Sequence, residues 1–306
     1  MNLVLLLIGF LLLVKGADFF VEGSSSLARL LRVPSAIIGL TVVAFGTSTP
    51  ESAVSITAAI QGSNNIALAN IIGSNIFNLL MVIGVCALIR DMHIDKQILK
   101  KDYTFNLLIT VVLIMVILDA KLSRVDGALL LLFFAYYLYD TIRRARNAKT
   151  QEEGEGKTLT PLLALIVIAG GLAAIVFGGN LVVDSAKKIA LDFGLSETFV
   201  GLTIVAIGTS LPELVTSVVA SRKGENGLAL GNVIGSNIFN ILFILGFSSV
   251  LSPLATDAFV LYDMGVLMLA MLITWFLAGN DGKISRKEGL IMLGIYLSYM
   301  VYIVNR

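Results

Sequence analysis

Residues 39–51 read GLTVVAFGTSTPE, and residues 201–213 read GLTIVAIGTSLPE. Further on, residues 70–78 read NIIGSNIFN and residues 232–240 read NVIGSNIFN. One shift of 162 positions superposes both pairs without a gap. From Gly39 to Leu80 it gives 25 identities in 42 positions. The same shift pairs Gly16 with Gly178 and Glu22 with Asp184 in the segments before. The chain is therefore an internal duplication, and its fold must be read as two copies of one unit.

Each copy is embedded in apolar sequence. The 306 residues are 57% hydrophobic and 14% charged, with a mean hydropathy of +0.92. A soluble chain carries about 25% charged residues, so this one lacks the charge to cover a surface facing water. It reads as an all-α integral membrane protein. Crossing the hydrocarbon core takes roughly 20 apolar residues. Apolar runs fall at about 3–22, 34–60, 65–89, 103–118, 124–142, 161–185, 196–220, 227–251, 258–278 and 287–304. That predicts ten transmembrane helices, five per repeat. The first run, Leu3 to Val14 at its most apolar, has no basic segment before it and no small-residue cleavage site after it. It reads as a retained helix rather than a removed signal peptide.

The long polar stretch is DTIRRARNAKTQEEGEGKTLT, residues 140–160. The predicted organisation is a first five-helix repeat over 1–142 (repeat motif 39–80), a linker over 143–160, and a second repeat over 161–306 (motif 201–242). Loops after the odd-numbered runs hold sixteen Lys and Arg, from Arg29 to Lys287. The other side holds five, namely Lys121, Arg124, Lys187, Lys188 and Arg306. By the positive-inside rule the sixteen-charge side, with the linker, is cytoplasmic and both termini face out, in a multi-pass cell-membrane protein. Because five is odd, the second copy enters the bilayer upside down. Inverted repeats of this kind mark secondary transporters with a site at the repeat interface near the midplane.

Composition excludes other classes. A net charge of +1 gives no electrostatic footprint for nucleic acid. One cysteine, Cys86, and one histidine, His93, cannot build a thiolate or imidazole metal centre. No resident cofactor and no obligatory protein partner are implied, leaving inorganic cations and the lipid bilayer as the expected partners.

The repeated motif supplies oxygen. Pro50 and Pro212 interrupt apolar helices, removing a backbone donor and straining the turn before. Pro50 is expected to free the carbonyl of Gly46. Such breaks survive at membrane depth where they line a cavity or pack on protein. Glu51 and Glu213 follow the prolines, and a carboxylate at the bilayer centre costs at least about 2.5 kcal/mol on insertion scales, so the pair calls for a cation. Ser74 and Asn78 share a helix face, as do Ser236 and Asn240. Carboxylates, hydroxyls, amide oxygens and carbonyls together suit Ca²⁺ or Na⁺. The near-identical surroundings of the two glutamates argue against an acid–base enzyme, which needs them unequal. A channel would use the same oxygens without coupling the fluxes.

GTSTPE and GTSLPE, each followed by GSNIFN, resemble the two alpha-repeats of the sodium/calcium exchanger family of the cation/calcium antiporter superfamily, and the resemblance to its prokaryotic members runs over essentially the whole chain. It implies Ca²⁺ held by Glu51 and Glu213 with main-chain oxygens of Thr47 and Thr209. It implies Na⁺ sites using Ala44, Ser48, Ser74, Ala206, Ser210 and Ser236, with Asn78 and Asn240 lining the centre. The implied activity is export of Ca²⁺ against Na⁺ by alternating access, with helices 1 and 6 sliding on the rest. The GNxxE-like pattern typical of proton-coupled relatives is absent. The asparagine at 240, where potassium-dependent members carry aspartate, argues against potassium dependence and leaves a proton-coupled Ca²⁺ antiporter as the alternative. Outside the motif, Lys15, Asp18 and Glu22 follow helical spacing near the cytoplasmic end of helix 1. An ion-entry face is one reading, and the favoured one is that they snorkel or pair with one another, Lys15 and Asp18 standing three apart. Asp281–Gly282 reads as a turn.

Overall fold

The computed structural model describes residues 2–147, 158–195, 200, 203–204 and 206–305. The protein is almost wholly helical. In chain order the helices are α1 (Asn2–Leu31), α2 (Ser35–Thr47), α3 (Thr49–Ile60), α4 (Asn64–Ile89), α5 (Thr104–Ile117) and α6 (Arg124–Asn147). Then follow α7 (Pro161–Asp192), α8 (Ala206–Thr209), α9 (Leu211–Arg222), α10 (Asn226–Leu251), α11 (Ala258–Asp281) and α12 (Arg286–Asn305).

Among the described residues seven helices are long and apolar enough to cross a membrane: α1, α4, α6, α7, α10, α11 and α12. The bent pair α2–α3, with 51° between its halves, makes eight if taken as one span. The other two expected crossings coincide with shorter elements. The expected run 103–118 is α5, a 14-residue helix entered through a π-helical stretch, Ile98–Tyr103, that carries Lys100, Lys101 and Asp102. The expected run 196–220 ends in α8 and α9, while much of its beginning lies outside the described residues.

Two expected helices are longer than their apolar runs. α1 continues past residue 22 to Leu31 because Ser24, Ser25 and Ser26 are buried within it, and Arg29 therefore sits on the helix rather than in a loop. α6 continues to Asn147 because Arg144 bonds Asp140 one turn back, at 2.8 Å, and Asp102 at 2.6 Å. Residues 143–147 of the expected linker are thus helical, and 148–157 lie outside the described residues.

Helix ends follow their local chemistry. α6 and α12 start with capping boxes, in which Ser123 donates its N–H to Asp126 at 2.8 Å and Ser285 donates its N–H to Glu288 at 2.7 Å. These two boxes are 162 positions apart. α7 opens with Pro161 after Thr160, whose hydroxyl accepts from the Leu163 N–H. α11 ends as the Asp281–Gly282 turn predicts, with Gly282 in the left-handed region at φ 66°.

Short strand pairs tie the halves together. Met92–His93 (β1) pairs with Lys283–Ile284 (β4), and Lys121–Leu122 (β2) pairs with Leu254–Ala255 (β3), both antiparallel. α1 and α7 pack antiparallel along their length. A Cβ placed on Gly9, Gly16 or Gly23 would lie 3.0, 2.9 or 3.1 Å from the carbonyl oxygens of Gly178, Gly171 and Ala164. The small residues allow this backbone approach, the usual means of joining helices in a membrane. Inside, α2 presses on α10 so closely that a Cβ on Gly235 would meet the Leu40 carbonyl oxygen at 2.6 Å.

Candidate cation site

The break between α2 and α3 falls at Ser48, with φ −81° and ψ 13°, and that between α8 and α9 falls at Ser210, with φ −90° and ψ 6°. Pro50 and Pro212 sit in the first turn of the second half-helix, where a missing N–H costs nothing. Glu51 and Glu213 occupy the same first turn, at the positive end of the helix dipole. Four elements meet here, the half-helix junctions from both repeats and the middles of α4 and α10. Both of the latter carry a π-helical insert beginning at the asparagine expected to line the centre, Asn78–Val82 and Asn240–Leu245. Such inserts recur at functional positions.

Glu51 and Glu213 are wholly buried. Each carboxylate is held from the opposite repeat. The Ser48 hydroxyl donates to Glu213 Oε1 at 2.8 Å, and the Ser210 hydroxyl donates to Glu51 Oε1 at 2.9 Å. From the same repeat, Ser74 reaches Glu51 Oε1 at 3.4 Å and Ser236 reaches Glu213 Oε1 at 3.5 Å. The Ser210 hydroxyl also lies 3.0 Å from that of Ser74. The other oxygen of each carboxylate, Oε2, is buried and has no partner.

The asparagines form a second layer with the same exchange symmetry. Asn78 donates to Asn237 Oδ1 at 3.1 Å and Asn240 donates to Asn75 Oδ1 at 3.0 Å. Asn75 and Asn237 donate to each other's main-chain oxygens at 3.3 and 3.4 Å. With their amide nitrogens thus fixed, Asn78 and Asn240 each retain a buried, unpartnered Oδ1. The site therefore presents four orphaned oxygens, two from carboxylates and two from amides. A buried polar atom without a partner is costly, and a buried carboxylate more so. Among the described residues no cluster of three His, Cys, Asp or Glu exists that could hold a metal. A hard cation accepting neutral oxygens alongside two carboxylates is the ligand such a donor set suits.

Other expected site residues act less directly. Ala44 is buried, and its carbonyl oxygen accepts from the Ser48 N–H at 3.0 Å and from Thr47 and Ser236 hydroxyls at 3.3 and 3.4 Å. The Thr47 and Thr209 hydroxyls face asparagines of the opposite repeat, Asn232 at 3.0 Å and Asn70 at 3.4 Å. Ala206 begins α8, and its side chain lies outside the described residues. One expectation is corrected: Pro50 does not leave the Gly46 carbonyl free, because the Thr49 hydroxyl takes it at 2.8 Å. Leu211, the repeat counterpart of Thr49, has no hydroxyl for that task.

The motif reading passed over the residues that brace the site. Asn70 donates to Ser55 and Asn232 donates to Ser217, both at 2.9 Å, and each also reaches the main-chain oxygen of its own repeat's glutamate at 3.4 Å. Their signal was present in the sequence, since all four recur at the 162-residue shift. The two ends of the site differ in exposure. Thr47 and Asn232 are fully buried, whereas Thr209 and Asn70 are half-buried.

Comparison with known proteins finds relatives over nearly the whole chain. The family profile described as sodium/calcium exchanger protein matches residues 1–142 and 163–305. Inner membrane protein YrbG of Escherichia coli (strain K12) is 37% identical over 309 residues, covering 97% of this chain and 94% of that protein. Sodium/calcium exchanger MaX1 of Methanosarcina acetivorans is 33% identical over 345 residues, covering 98% and 97%. Among solved structures, the sodium-calcium exchanger NCX_Mj soaked with Na⁺ and Ca²⁺ superposes with a TM-score of 0.86 at 34% identity, covering 98% of this chain and 97% of that one.

Proposed function

Because the chain belongs to the sodium/calcium exchanger family, we propose that it exports Ca²⁺ from the cytosol in exchange for Na⁺, at a site near the bilayer midplane served by alternating access. The observation that carries the reading is the set of four orphaned buried oxygens, Glu51 Oε2, Glu213 Oε2, Asn78 Oδ1 and Asn240 Oδ1. They are the direct Ca²⁺ ligands, joined by the main-chain oxygens of Thr47 and Thr209. Na⁺ occupies overlapping positions around Ser48, Ser74, Ser210 and Ser236 and the backbone of Ala44 and Ala206. The shared carboxylates make the two loads compete, so they cross on separate strokes.

Ten crossings in two inverted repeats underlie the cycle, with both termini outside the cell membrane. The reciprocal hydrogen bonds, each recurring at the 162-residue shift, support this arrangement, since residues of one repeat do to the other what is done to them. The exposure difference supports alternating access. Thr209 and Asn70 lie toward the side the charge count makes extracellular, and they are the more exposed pair. The tight α2–α10 contact closes the other side. Rocking α1 and α7 over the core would exchange these two situations.

Two carboxylates balance one Ca²⁺ or two Na⁺. If a cycle moves one net charge, each 100 mV biases it by about 2.3 kcal/mol. The test is ⁴⁵Ca²⁺ uptake into proteoliposomes of the purified protein, loaded with Na⁺, with K⁺ or with acid buffer, under clamped potential. Uptake that requires internal Na⁺ is the expected result. Uptake driven by internal acid alone would replace Na⁺ with H⁺ as counter-ion.

A further inference from the structure

Two ion pairs join α1 to the turn between α9 and α10, away from the buried oxygen cluster. Lys223 Nζ lies 3.4 Å from Asp18 Oδ1 and donates to the Asp18 carbonyl oxygen at 2.9 Å. Asp18 thus pairs with Lys223, not with Lys15 as its spacing suggested. Arg29 lies 3.8 Å from Glu225 Oε1. Asp18 and Arg29 are three helical turns apart and so share one face of α1. Gly224, at φ 81°, makes the turn tight enough for its two neighbours to serve both partners.

The arrangement is one-sided. The repeat counterparts of Asp18, Lys223, Arg29 and Glu225 are Asn180, Gln61, Leu191 and Ser63, and none of them is charged. Packing is lopsided in the same way. α1 packs on α9, while the matching contact of α7 with α3 is nearly absent among the described residues. Under the α1 contact lies a hydroxyl with nothing to bond. Ser25 stands on the same face between Asp18 and Arg29. It is 5% exposed and its Oγ has no partner.

The geometry points to a latch: the Asp18–Lys223 and Arg29–Glu225 pairs hold α1 on the α9–α10 turn and close the route from that end of the molecule to Glu213. This rests on the alternating-access reading above, in which that end is cytoplasmic. Each opening toward the cytosol parts both ion pairs and wets Ser25. The four counterpart positions offer no charged pair in exchange, so the latch biases the protein toward the state accessible from outside. Partly exposed pairs of this kind shift an equilibrium by about two- to fivefold each.

The test places a reporter at Ser25. In a Cys86→Ala background, Ser25→Cys is labelled with a membrane-impermeant maleimide supplied at the cytoplasmic face of vesicles. Adding Lys223→Gln and Glu225→Gln together is expected to raise the labelling rate about four- to twenty-fivefold, the product of the two pair effects. The charge exchange Asp18→Lys with Lys223→Asp, which a merely unfolded protein could not mimic, is expected to return labelling to near the parent rate. An unchanged rate in the Gln variants, or an exchange variant as fast as they are, would overturn the latch. Labelling is read without any ion gradient. Failure of the parent protein to take up Ca²⁺ would therefore sink the exchanger reading while leaving the labelling result to decide the latch.

Discussion

The Ser48 hydroxyl donates to Oε1 of Glu213 at 2.8 Å across 165 positions of sequence, and the Ser210 hydroxyl repeats the bond to Glu51 at 2.9 Å. Each break in one repeat thereby aims the carboxylate of the other. With Oε1 held, Oε2 is left to the ion. A hydrogen bond to a charged group is worth about 1.5–3 kcal/mol. Ser48→Ala and Ser210→Ala are therefore each expected to weaken apparent Ca²⁺ binding by about tenfold or more. The two losses should be similar, because the two bonds are. Isothermal titration of the purified variants checks this, and an effect in one variant alone would contradict the shared role.

Glu51→Gln and Glu213→Gln keep the acceptor for the serine hydroxyl and remove the charge. Neither should unfold the protein, since a neutral amide is cheaper to bury than an unpaired carboxylate. Both should abolish ⁴⁵Ca²⁺ uptake in proteoliposomes while eluting as the folded parent does on size exclusion. Near-normal uptake in either variant would remove that glutamate from the site.

The α1–α7 seam offers a paired control in adjacent residues. A Cβ on Gly171 would lie 2.6 Å from the Phe20 nitrogen and 2.8 Å from the Gly16 carbonyl oxygen, whereas among the described residues one on Gly170 meets nothing within 4 Å. Gly171→Ala must push two backbones apart, an overpacking that costs about 1–3 kcal/mol. Gly170→Ala should be neutral or slightly stabilising. Thermal melts in detergent should separate the two variants by several degrees, with transport lost before folding in Gly171→Ala if the seam is the sliding surface.

How much of this was legible in the sequence follows from what repeats. Glu51, Ser48, Ser74 and Asn78 stand out because they recur at 162 residues in an apolar setting, and the structure brings their hydrogen bonds into one cluster with those of Glu213, Ser210, Ser236 and Asn240. Asn70 and Ser55 recur as well, yet their bracing role depends on a contact between α3 and α4 that no local pattern announces. The fate of the Gly46 carbonyl turned on Thr49, a residue the second repeat does not share. The ends of α1 and α6 were misjudged because hydropathy stops where burial does not. Ser24 to Ser26 are polar yet enclosed, and Arg144 extends its helix through partners at Asp102 and Asp140. The Asp18–Lys223 pair joins segments more than 200 positions apart, and spacing within one helix pointed to the wrong partner.

Outside the membrane spans, the Asp91–Lys283 pair at 3.0 Å supports the β1–β4 connection. The hydrogen bond from Lys283 holds the Asp91 carboxyl below its usual range, and the same bond raises Lys283. A depressed acid stabilises above its unfolded pKa and loses that contribution as pH falls through the folded value. A raised base stabilises below its unfolded pKa and loses it as pH rises through the folded value. The connection should therefore be tightest between the carboxylate and ammonium ranges. Hydrogen exchange at the Ile94 N–H, bonded to the Gly282 carbonyl oxygen at 2.9 Å, should show less protection at acid pH than its intrinsic rate explains. Asp91→Asn should remove that dependence.

Asp102 is 2% exposed and takes a two-pronged bond from Arg144, at 2.6 and 3.0 Å, at the junction of α5 and α6. Removing one partner of such a pair strands the other charge, which costs about 3–5 kcal/mol, whereas replacing both with neutral groups is often close to harmless. Arg144→Ala leaves the Asp102 carboxylate buried with only distant help. It should destabilise more than the double variant Asp102→Asn with Arg144→Gln, although the double variant changes more residues. Asp140 does not rescue the single variant, because it is itself acidic and loses the same guanidinium, whose Nε it binds at 2.8 Å. Melting temperatures of the single and double variants in detergent measure the difference directly. If Arg144→Ala melted with or above the double variant, the pair would contribute through helix propensity or packing and not through its charges.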